Sequence, residues 1–302
     1  MDNSQENQTY CGLVTLLGAP NAGKSTLVNK MVGAKVSIVS PKVQTTRSRI
    51  RGIAVRGACE LVLVDTPGIF KPKRRLDRAM VAAAWSEAEY ADVRLLLVDA
   101  KRGIDNDTIA ITDSLIKEKM KTVLVLNKTD LVKPEKLLEL SAKLNELKIF
   151  TSTFMISAET GDGVDDLFDY LASVVPEAPF MFPPDDVSDL PNRLLAAEIT
   201  REKLFLNLHD ELPYHLTVET DSWKEEKNGI KLNQTIYVDR VNQRQIILGR
   251  QGAMIKRIGM QSRSELEELF DCRVHLFLFV KVREKWGDDP ARYREWGLNF
   301  NA

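Results

Sequence analysis

Near the amino terminus, the run Gly18-Ala19-Pro20-Asn21-Ala22-Gly23-Lys24-Ser25 spells GxxxxGKS. Wrapping a polyphosphate takes a ring of backbone N–H groups, and glycine lets the main chain approach without a Cβ in the way. A helix opening near Lys24 adds the positive end of its dipole. Lys24 then reaches the β- and γ-phosphates as a point charge, the Ser25 hydroxyl is placed for Mg²⁺, and Thr26 completes the segment. The octapeptide alone does not separate ATP from GTP.

Three further stretches could complete the site. In Asp65-Thr66-Pro67-Gly68 the carboxylate can hold Mg²⁺, and the Gly68 N–H can bond the γ-phosphate and leave it after hydrolysis. Alone, this is also an ordinary strand-to-loop turn. In Asn127-Lys128-Thr129-Asp130 the Asp130 carboxylate can accept from guanine N1 and N2, a donor pair that adenine lacks. Losing such a buried partner changes affinity by a factor of about 10⁴ or more. Asn127 can tie neighbouring loops together, and the Lys128 stem can cover the base. In Ser157-Ala158-Glu159 the backbone N–H groups can meet guanine O6.

The elements that must position these residues follow from the apolar pattern. Short apolar runs at 12–17, 60–64, 94–98, 122–126 and 153–156 alternate with amphipathic segments at 76–90, 107–119, 134–147 and 164–174. That alternation predicts βαβ units around a mostly parallel sheet. Residues 50–56 and 60–64, joined through Gly57, predict an antiparallel hairpin at its edge. Each of the four motifs then stands at the carboxyl end of a strand, where open α/β sheets bind ligands.

The chain has 302 residues and a net charge of −1, so it suits two domains and attracts nucleic acid only through a local patch. Three spaced cysteines, Cys11, Cys59 and Cys272, argue against a disulfide framework or zinc site and for a reducing cytosol. No basic, apolar leader opens the chain, and no apolar run reaches the roughly 18 residues that span a membrane. His209, His215 and His275 lack metal spacing.

Residues 1–8 are expected to be disordered and 9–175 to form the nucleotide-binding domain. Residues 176–191 hold five of the twelve prolines, which predicts a stiff, extended linker over 176–192. A smaller α+β domain follows over 193–302: a helix at 193–208, strands at 216–223 and 234–238, a short apolar segment at 246–248, a helix at 253–270 and a strand at 274–282. Gly249-Arg250-Gln251-Gly252 forms a GxxG loop opening a helix, the KH arrangement, in which a sugar-phosphate backbone passes close to the main chain. Six basic residues, Arg240, Arg244, Arg250, Lys256, Arg257 and Arg263, lie around it with no acidic residue between them. That predicts local, salt-sensitive phosphate attraction. Ile255, Ile258, Leu266 and Leu269 form a core stripe, and Trp286 and Trp296 are expected to pack.

On these motifs, from about Tyr10 to Asn299, the chain resembles the Era family of bacterial GTPases. The resemblance implies a three-layer α/β P-loop G domain followed by a smaller KH-type domain with a C-terminal helix. It implies a GTPase that binds GTP and GDP, uses Mg²⁺, and holds the 3′ end of small-subunit ribosomal RNA in assembly of the 30S subunit. It further implies a cytoplasmic monomer with scope for peripheral association at the cytoplasmic face of the inner membrane. Pro41 to Arg47 resembles switch I, with Thr46 favoured, and Thr45 kept open, as the residue that completes the Mg²⁺ shell with Ser25 and Asp65. Lys24, Asn21, Thr46 and Gly68 would carry the catalysis. Gly249 to Gly252 with Lys256 and Arg257 would carry the RNA, although the family usually has lysine where Gln251 stands. Residues from Gly68 to about Tyr90 resemble switch II, but Ile69 replaces the water-orienting glutamine of Ras-like proteins. That predicts slow intrinsic hydrolysis, about 10⁻⁴–10⁻³ s⁻¹. Relatives with this replacement often use K⁺ held by a phosphate-loop asparagine, which Asn21 matches. A second reading keeps GTP as a structural ligand of an RNA-binding module, with negligible hydrolysis. A tandem or tRNA-modifying relative is discounted, because one GxxxxGKS occurs and no cysteine lies near the carboxyl terminus.

Overall fold

The computed structural model describes residues 8–42 and 45–302. Residues 1–7 of the expected disordered start, and Val43 and Gln44 of the candidate switch, lie outside the described residues. Gln8 donates to Glu177 at 2.7 Å. The chain divides into two compact units. The first takes Met1–Ser37, Thr46–Asp189 and Trp296–Ala302; the second takes Ile38–Thr45 and Leu190–Glu295.

The first unit is built on β1 (Tyr10–Gly18), β2 (Ile50–Arg56), β3 (Cys59–Asp65), β4 (Val93–Asp99), β5 (Thr122–Asn127) and β6 (Phe150–Ile156). They stand in the order β2-β3-β1-β4-β5-β6, parallel except for the antiparallel edge strand β2. The near-continuous apolar runs of β3, β4 and β5 suit strands covered on both faces. Alternation splits them: Leu95, Leu97, Val123 and Val125 join one core cluster, while Leu96, Val98, Leu124 and Leu126 join the other. Helices α1 (Lys24–Val32) and α5 (Val164–Val174) supply Leu27, Val28, Leu167 and Phe168 to the first cluster. Helices α2 (Arg75–Tyr90), α3 (Asn106–Lys117) and α4 (Pro134–Asn145) supply Ala84, Ile111, Leu115, Leu140 and Leu144 to the second. Each fully buried leucine contributes about 1.5–3 kcal/mol. Strand order reverses at β1, which pairs with β3 on one side and β4 on the other, so the crevice at its carboxyl end is the natural ligand position.

Two expectations change here. Strand β6 starts at Phe150, three residues before the apolar run at 153. The proline-rich stretch is extended but not free, since residues up to Asp189 belong to the first unit. The N–H of Ile53 on β2 donates to Val187 O at 3.0 Å, Arg51 N–H donates to Asp189 Oδ1 at 3.1 Å, and Glu60 accepts from Met181 N–H at 2.8 Å. An edge strand leaves N–H groups unpaired, and this segment supplies acceptors for two of them.

The second unit contains α6 (Asn192–Asn207), β7 (Leu216–Glu226), β8 (Gly229–Val238), α7 (Val241–Leu248), α8 (Ala253–Phe270), β9 (Val274–Val282) and α9 (Pro290–Glu295). Its sheet runs β7-β8-β9, antiparallel then parallel. Ala197 and Leu204 of α6, Ile247 of α7 and Ile258 of α8 pack on Leu216, Ile236 and Val238 of the sheet. The segment at 246–248, expected only as a short apolar stretch, is the end of helix α7. Gln243 accepts the Arg240 N–H at 2.9 Å and closes the first turn of that helix. Trp286 is buried and donates to His215 O at 3.1 Å.

Candidate functional site

The phosphate loop runs from β1 into α1 with Gly18 at φ 152°, Asn21 at φ 63° and Gly23 at φ 97°. A Cβ on Gly23 would stand 2.1 Å from Asn127 Nδ2, and one on Gly18 would stand 2.5 Å from Leu97 O, so both positions need glycine. Lys24 opens α1 and is buried, with its ammonium donating to Gly18 O and Ala19 O at 3.1 Å each. Burial pulls its pKa down to about 8, opposed by the charge of Asp65.

Asp65, at the end of β3, is the hub of the rim. Its Oδ2 accepts from Ser25 Oγ at 2.6 Å, Ser37 Oγ at 2.6 Å and Thr46 Oγ1 at 3.2 Å. The Ser25 and Thr46 hydroxyls lie 3.0 Å apart. Its Oδ1 is buried without a hydrogen-bond partner. A buried carboxylate oxygen in want of a partner, beside two hydroxyls, is a hard-oxygen set that fits Mg²⁺. Burial pushes the Asp65 carboxyl pKa up, and the bonds from Ser25 and Ser37 and the Lys24 charge pull it back. Of the two threonines, Thr46 is the one brought here; Thr45 donates to Lys42 O at 2.9 Å instead. Ser37 was not singled out from the sequence. It is clamped by Asn29 of α1, whose Oδ1 accepts from the N–H groups of Val36 and Ser37 at 2.9 Å.

Beyond Asp65, the Thr66 hydroxyl donates to Leu16 O at 2.6 Å and Pro67 is buried. Gly68 passes so close to the phosphate loop that a Cβ would stand 2.9 Å from Pro20 Cα. Ile69 donates its N–H to Gly18 O at 3.1 Å, and its side chain is buried in the cluster of Leu17, Ala84 and Leu96.

Asn127, at the end of β5, joins three loops: its Nδ2 donates to Ala22 O at 2.8 Å and its Oδ1 accepts from Ala158 N–H at 2.9 Å. Lys128, at φ 67°, donates to Asn21 O at 2.8 Å and to Asp99 Oδ2 at 2.6 Å. The motifs after β1 and β5 therefore touch. Asp130 is exposed on a short 3₁₀ turn, Ser157 and Ala158 are buried after β6, and Glu159 is exposed. Asp99 and Arg102 escaped the sequence reading. Asp99 Oδ1 also accepts from the N–H groups of Lys101 and Arg102, at 2.9 and 3.2 Å, and Arg102 donates to Pro20 O at 3.1 Å. Their signal was position: Asp99 directly follows the run at 94–98, at the carboxyl end of β4, and Arg102 lies three residues beyond it.

In the second unit, Gly249 at φ 72° ends α7, and a Cβ there would stand 2.7 Å from Met254 Cβ. Gln251 and Gly252 are also left-handed, at φ 52° and 77°, and nothing lies within 4 Å of a Cβ built on Gly252. The loop thus presents open backbone at the amino end of α8, an arrangement that suits a phosphodiester. Arg250, Gln251, Lys256 and Arg257 are exposed around it.

Fold and rim together define a P-loop GTPase that carries a KH-type module. The family model described as "50S ribosome-binding GTPase" matches residues 13–128, and that described as "KH domain" matches residues 211–287. GTPase Era of Bradyrhizobium sp. (strain BTAi1 / ATCC BAA-1182) is 60% identical over 294 residues, covering 97% of this chain and 96% of the relative. GTPase Era of Brucella suis biovar 1 is 56% identical over 298 residues, covering 98% and 96%. A crystal structure of an Aquifex aeolicus Era variant bound to GDP·AlF4⁻ matches with TM-score 0.90 at 36% identity, over 96% of this chain and 99% of that one. A structure of Era with MgGDPNP and nucleotides 1506–1542 of 16S ribosomal RNA matches with TM-score 0.91 at 37% identity, again over 96% and 99%. The chain belongs to the GTPase Era family. It is an enzyme of GTP hydrolysis.

Proposed function

We propose that the chain binds Mg²⁺ and GTP at the rim of the first sheet and hydrolyses GTP there. The GxxG loop of the second unit holds the 3′ end of small-subunit ribosomal RNA during subunit assembly. The observation that carries the nucleotide reading is the convergence of Ser25, Thr46 and the partnerless Oδ1 on one carboxylate, with Lys128 bonded to the phosphate loop. The RNA reading is supported by the open glycine loop and by the relative solved with a 16S ribosomal RNA fragment.

Ser25, Thr46 and Asp65 hold the metal, which when bound neutralises charge on the phosphate oxygens. Backbone N–H groups from Gly18 to Thr26 and the Lys24 ammonium cradle the phosphates, and the Gly68 N–H takes the γ-phosphate. Asp130 and the N–H groups at Ser157 to Glu159 read guanine, while Asn127 and Lys128 lock the loops. Water attacks in line, and catalysis is positioning plus charge neutralisation. Ile69 is turned into the core and orients no water, so turnover depends on further positive charge. Asn21 supplies a ligand for K⁺ in that role. Equal single-turnover rates in Na⁺ and K⁺ buffers would overturn it.

The switch has a physical lever. Residues 38–45 belong to the second unit, where Val39 N–H donates to Glu202 at 2.8 Å and Lys42 donates to Leu208 O at 2.7 Å and to Phe205 O. Arg201 donates to Thr45 O. The next residue, Thr46, sits in the Asp65 cluster. A Thr46 held by Mg²⁺ and GTP would therefore be joined directly through the chain to a segment anchored to α6. A cytoplasmic monomer with peripheral membrane contact is implied by the family resemblance alone. Among the described residues no helix is long and apolar enough to cross a membrane. Crosslinking the protein to cellular RNA and identifying the bound segment tests the reading. Recovery of segments unrelated to the 3′ end of small-subunit RNA would sink it.

A further inference from the structure

The outer face of the second unit's sheet is left unexplained by the GxxG loop. The helices cover one face, packing on Leu232 and Ile236 of β8 and on Leu276, Leu278 and Val280 of β9. Alternation sends the intervening residues to the other face. Register places Lys231 beside His275, Asn233 beside Phe277, and Thr235 beside Phe279. Farther along, Tyr237 stands beside Lys281; Arg292 of α9 covers the Tyr237 ring at 4.7 Å and pairs with Glu219, while Lys281 stays exposed.

The rest is open. Phe277 and Phe279 are 47% and 49% exposed on an edge strand, where proteins usually place charge rather than aromatic rings. The Lys231 ammonium stands 5.5 Å over the Phe277 ring, and Lys224 lies directly across from Lys231 on β7. Of the acidic groups on this face, Glu219 is engaged with Arg292 and Asp221 with the Thr235 hydroxyl at 2.6 Å, while Glu226 stands at the far end of β7, opposite Gly229. Two rings at positions i and i+2 repeat about every 6.6 Å along a strand. Rings on an open sheet with lysines beside them are the arrangement that stacks unpaired bases and attracts their phosphates. An acidic peptide would engage the lysines and leave the rings bare. A second copy of this face would set lysine against lysine.

We propose that this face is a second RNA contact, in which Phe277 and Phe279 stack neighbouring unpaired bases and Lys231 and Lys281 take the flanking phosphates. It rests on the RNA reading of the second unit but uses the side of the sheet away from α6, α7 and α8. The test uses the full chain and an RNA spanning nucleotides 1506–1542 of 16S ribosomal RNA, at fixed salt. The Phe277→Ala/Phe279→Ala variant should lose about tenfold to a hundredfold in affinity, with GTP hydrolysis and thermal melting unchanged. Phe279→Trp should keep the affinity, and its added emission should be quenched by the RNA. Lys231→Ala should lower the slope of log affinity against log salt by about one. Unchanged affinity in the double alanine variant, while Gly252→Asp weakens binding, overturns this proposal and leaves the GxxG reading standing. Unchanged affinity in both overturns the two together. If the wild-type chain self-associates in sedimentation and the double variant does not, with RNA affinity intact, the face belongs to a second copy and the proposal fails.

Discussion

At the rim of the first sheet, Lys24, Asp65 and Asn127 are buried, and each is held by atoms of a loop other than its own or by the turn it closes. Around the GxxG loop, Arg250, Gln251, Lys256 and Arg257 stand exposed, and the fixed element is the backbone itself, left-handed at Gly249, Gln251 and Gly252. On the proposed reading, both regions present N–H groups and cations to phosphate. The first does so in a desolvated network, where electrostatic terms are strong and one buried oxygen, Asp65 Oδ1, is left for a ligand. The second does so in water, where single charges contribute little and salt competes. Substitutions at the rim should therefore be severe and specific, and those at the loop graded and salt-dependent.

The largest effect tests specificity at the rim. Asp130→Asn exchanges an acceptor for a donor, so preference should swing from GTP towards xanthosine triphosphate by a factor on the order of 10⁴. Competition binding of the two nucleotides measures it, and an unchanged preference removes Asp130 from the base pocket. Next is Lys24→Ala, which strips a buried ammonium from the phosphates and should weaken GTP by about 10²–10³-fold, within the range for breaking a buried charge pair. Calorimetry in Mg²⁺ reads it. A change under threefold would place the rim with the exposed loop and dissolve the contrast.

Legibility in the sequence divides along the same line. Where backbone geometry dictates residue type, the sequence shows it: Gly18 and Gly23 fit only as glycine, and strand ends put Asp65 and Asn127 on one rim. Helix α8 and strand β9 were readable to the residue because eighteen and nine residues give clear periods. Partners chosen across the fold were not readable. Ser37 meets a carboxylate 28 positions away, and Asp99 meets Lys128 29 positions away. Helix α7 was missed because polar residues fill 242–245, and apart from Val241 its apolar residues come last and consecutively, without a helical period. The proline composition revealed an extended segment from 176 but not the edge strand that needed its carbonyls.

In the loop, Gly252→Asp places a carboxylate at the amino end of α8, where a phosphodiester would pass. RNA affinity should fall by about 10–100-fold through like-charge repulsion, with GTP binding intact. If GTP binding falls in parallel, the two regions are not separable in the way proposed. Milder still, Arg250→Ala should reduce affinity by about threefold to tenfold and lower the salt slope by about one, the behaviour of one screened phosphate contact. Titrations at three salt concentrations distinguish this from a buried contact, whose loss would leave the slope alone.

The smallest perturbation probes burial itself. Cys11 and Cys59 are 1% and 7% exposed in the first unit, and Cys272 is half-buried in the second. Burial, and then the hydrogen bond to Glu60 at 3.0 Å, pushes the Cys11 thiol up to about 12; burial and then Glu60 raise Cys59 as well. A raised thiol pKa means less thiolate at a given pH, so at pH 8 these two sulfurs are almost wholly protonated and shielded. An alkylating reagent at that pH should add once to the folded protein, at Cys272, and three times after denaturation. Mass spectrometry of the digest locates the adducts. Labelling of Cys11 at the rate of Cys272 would mean that β1 and β3, whose carboxyl ends carry the phosphate loop and Asp65, open readily to solvent, and the strong electrostatics assigned to that rim would lose their physical basis.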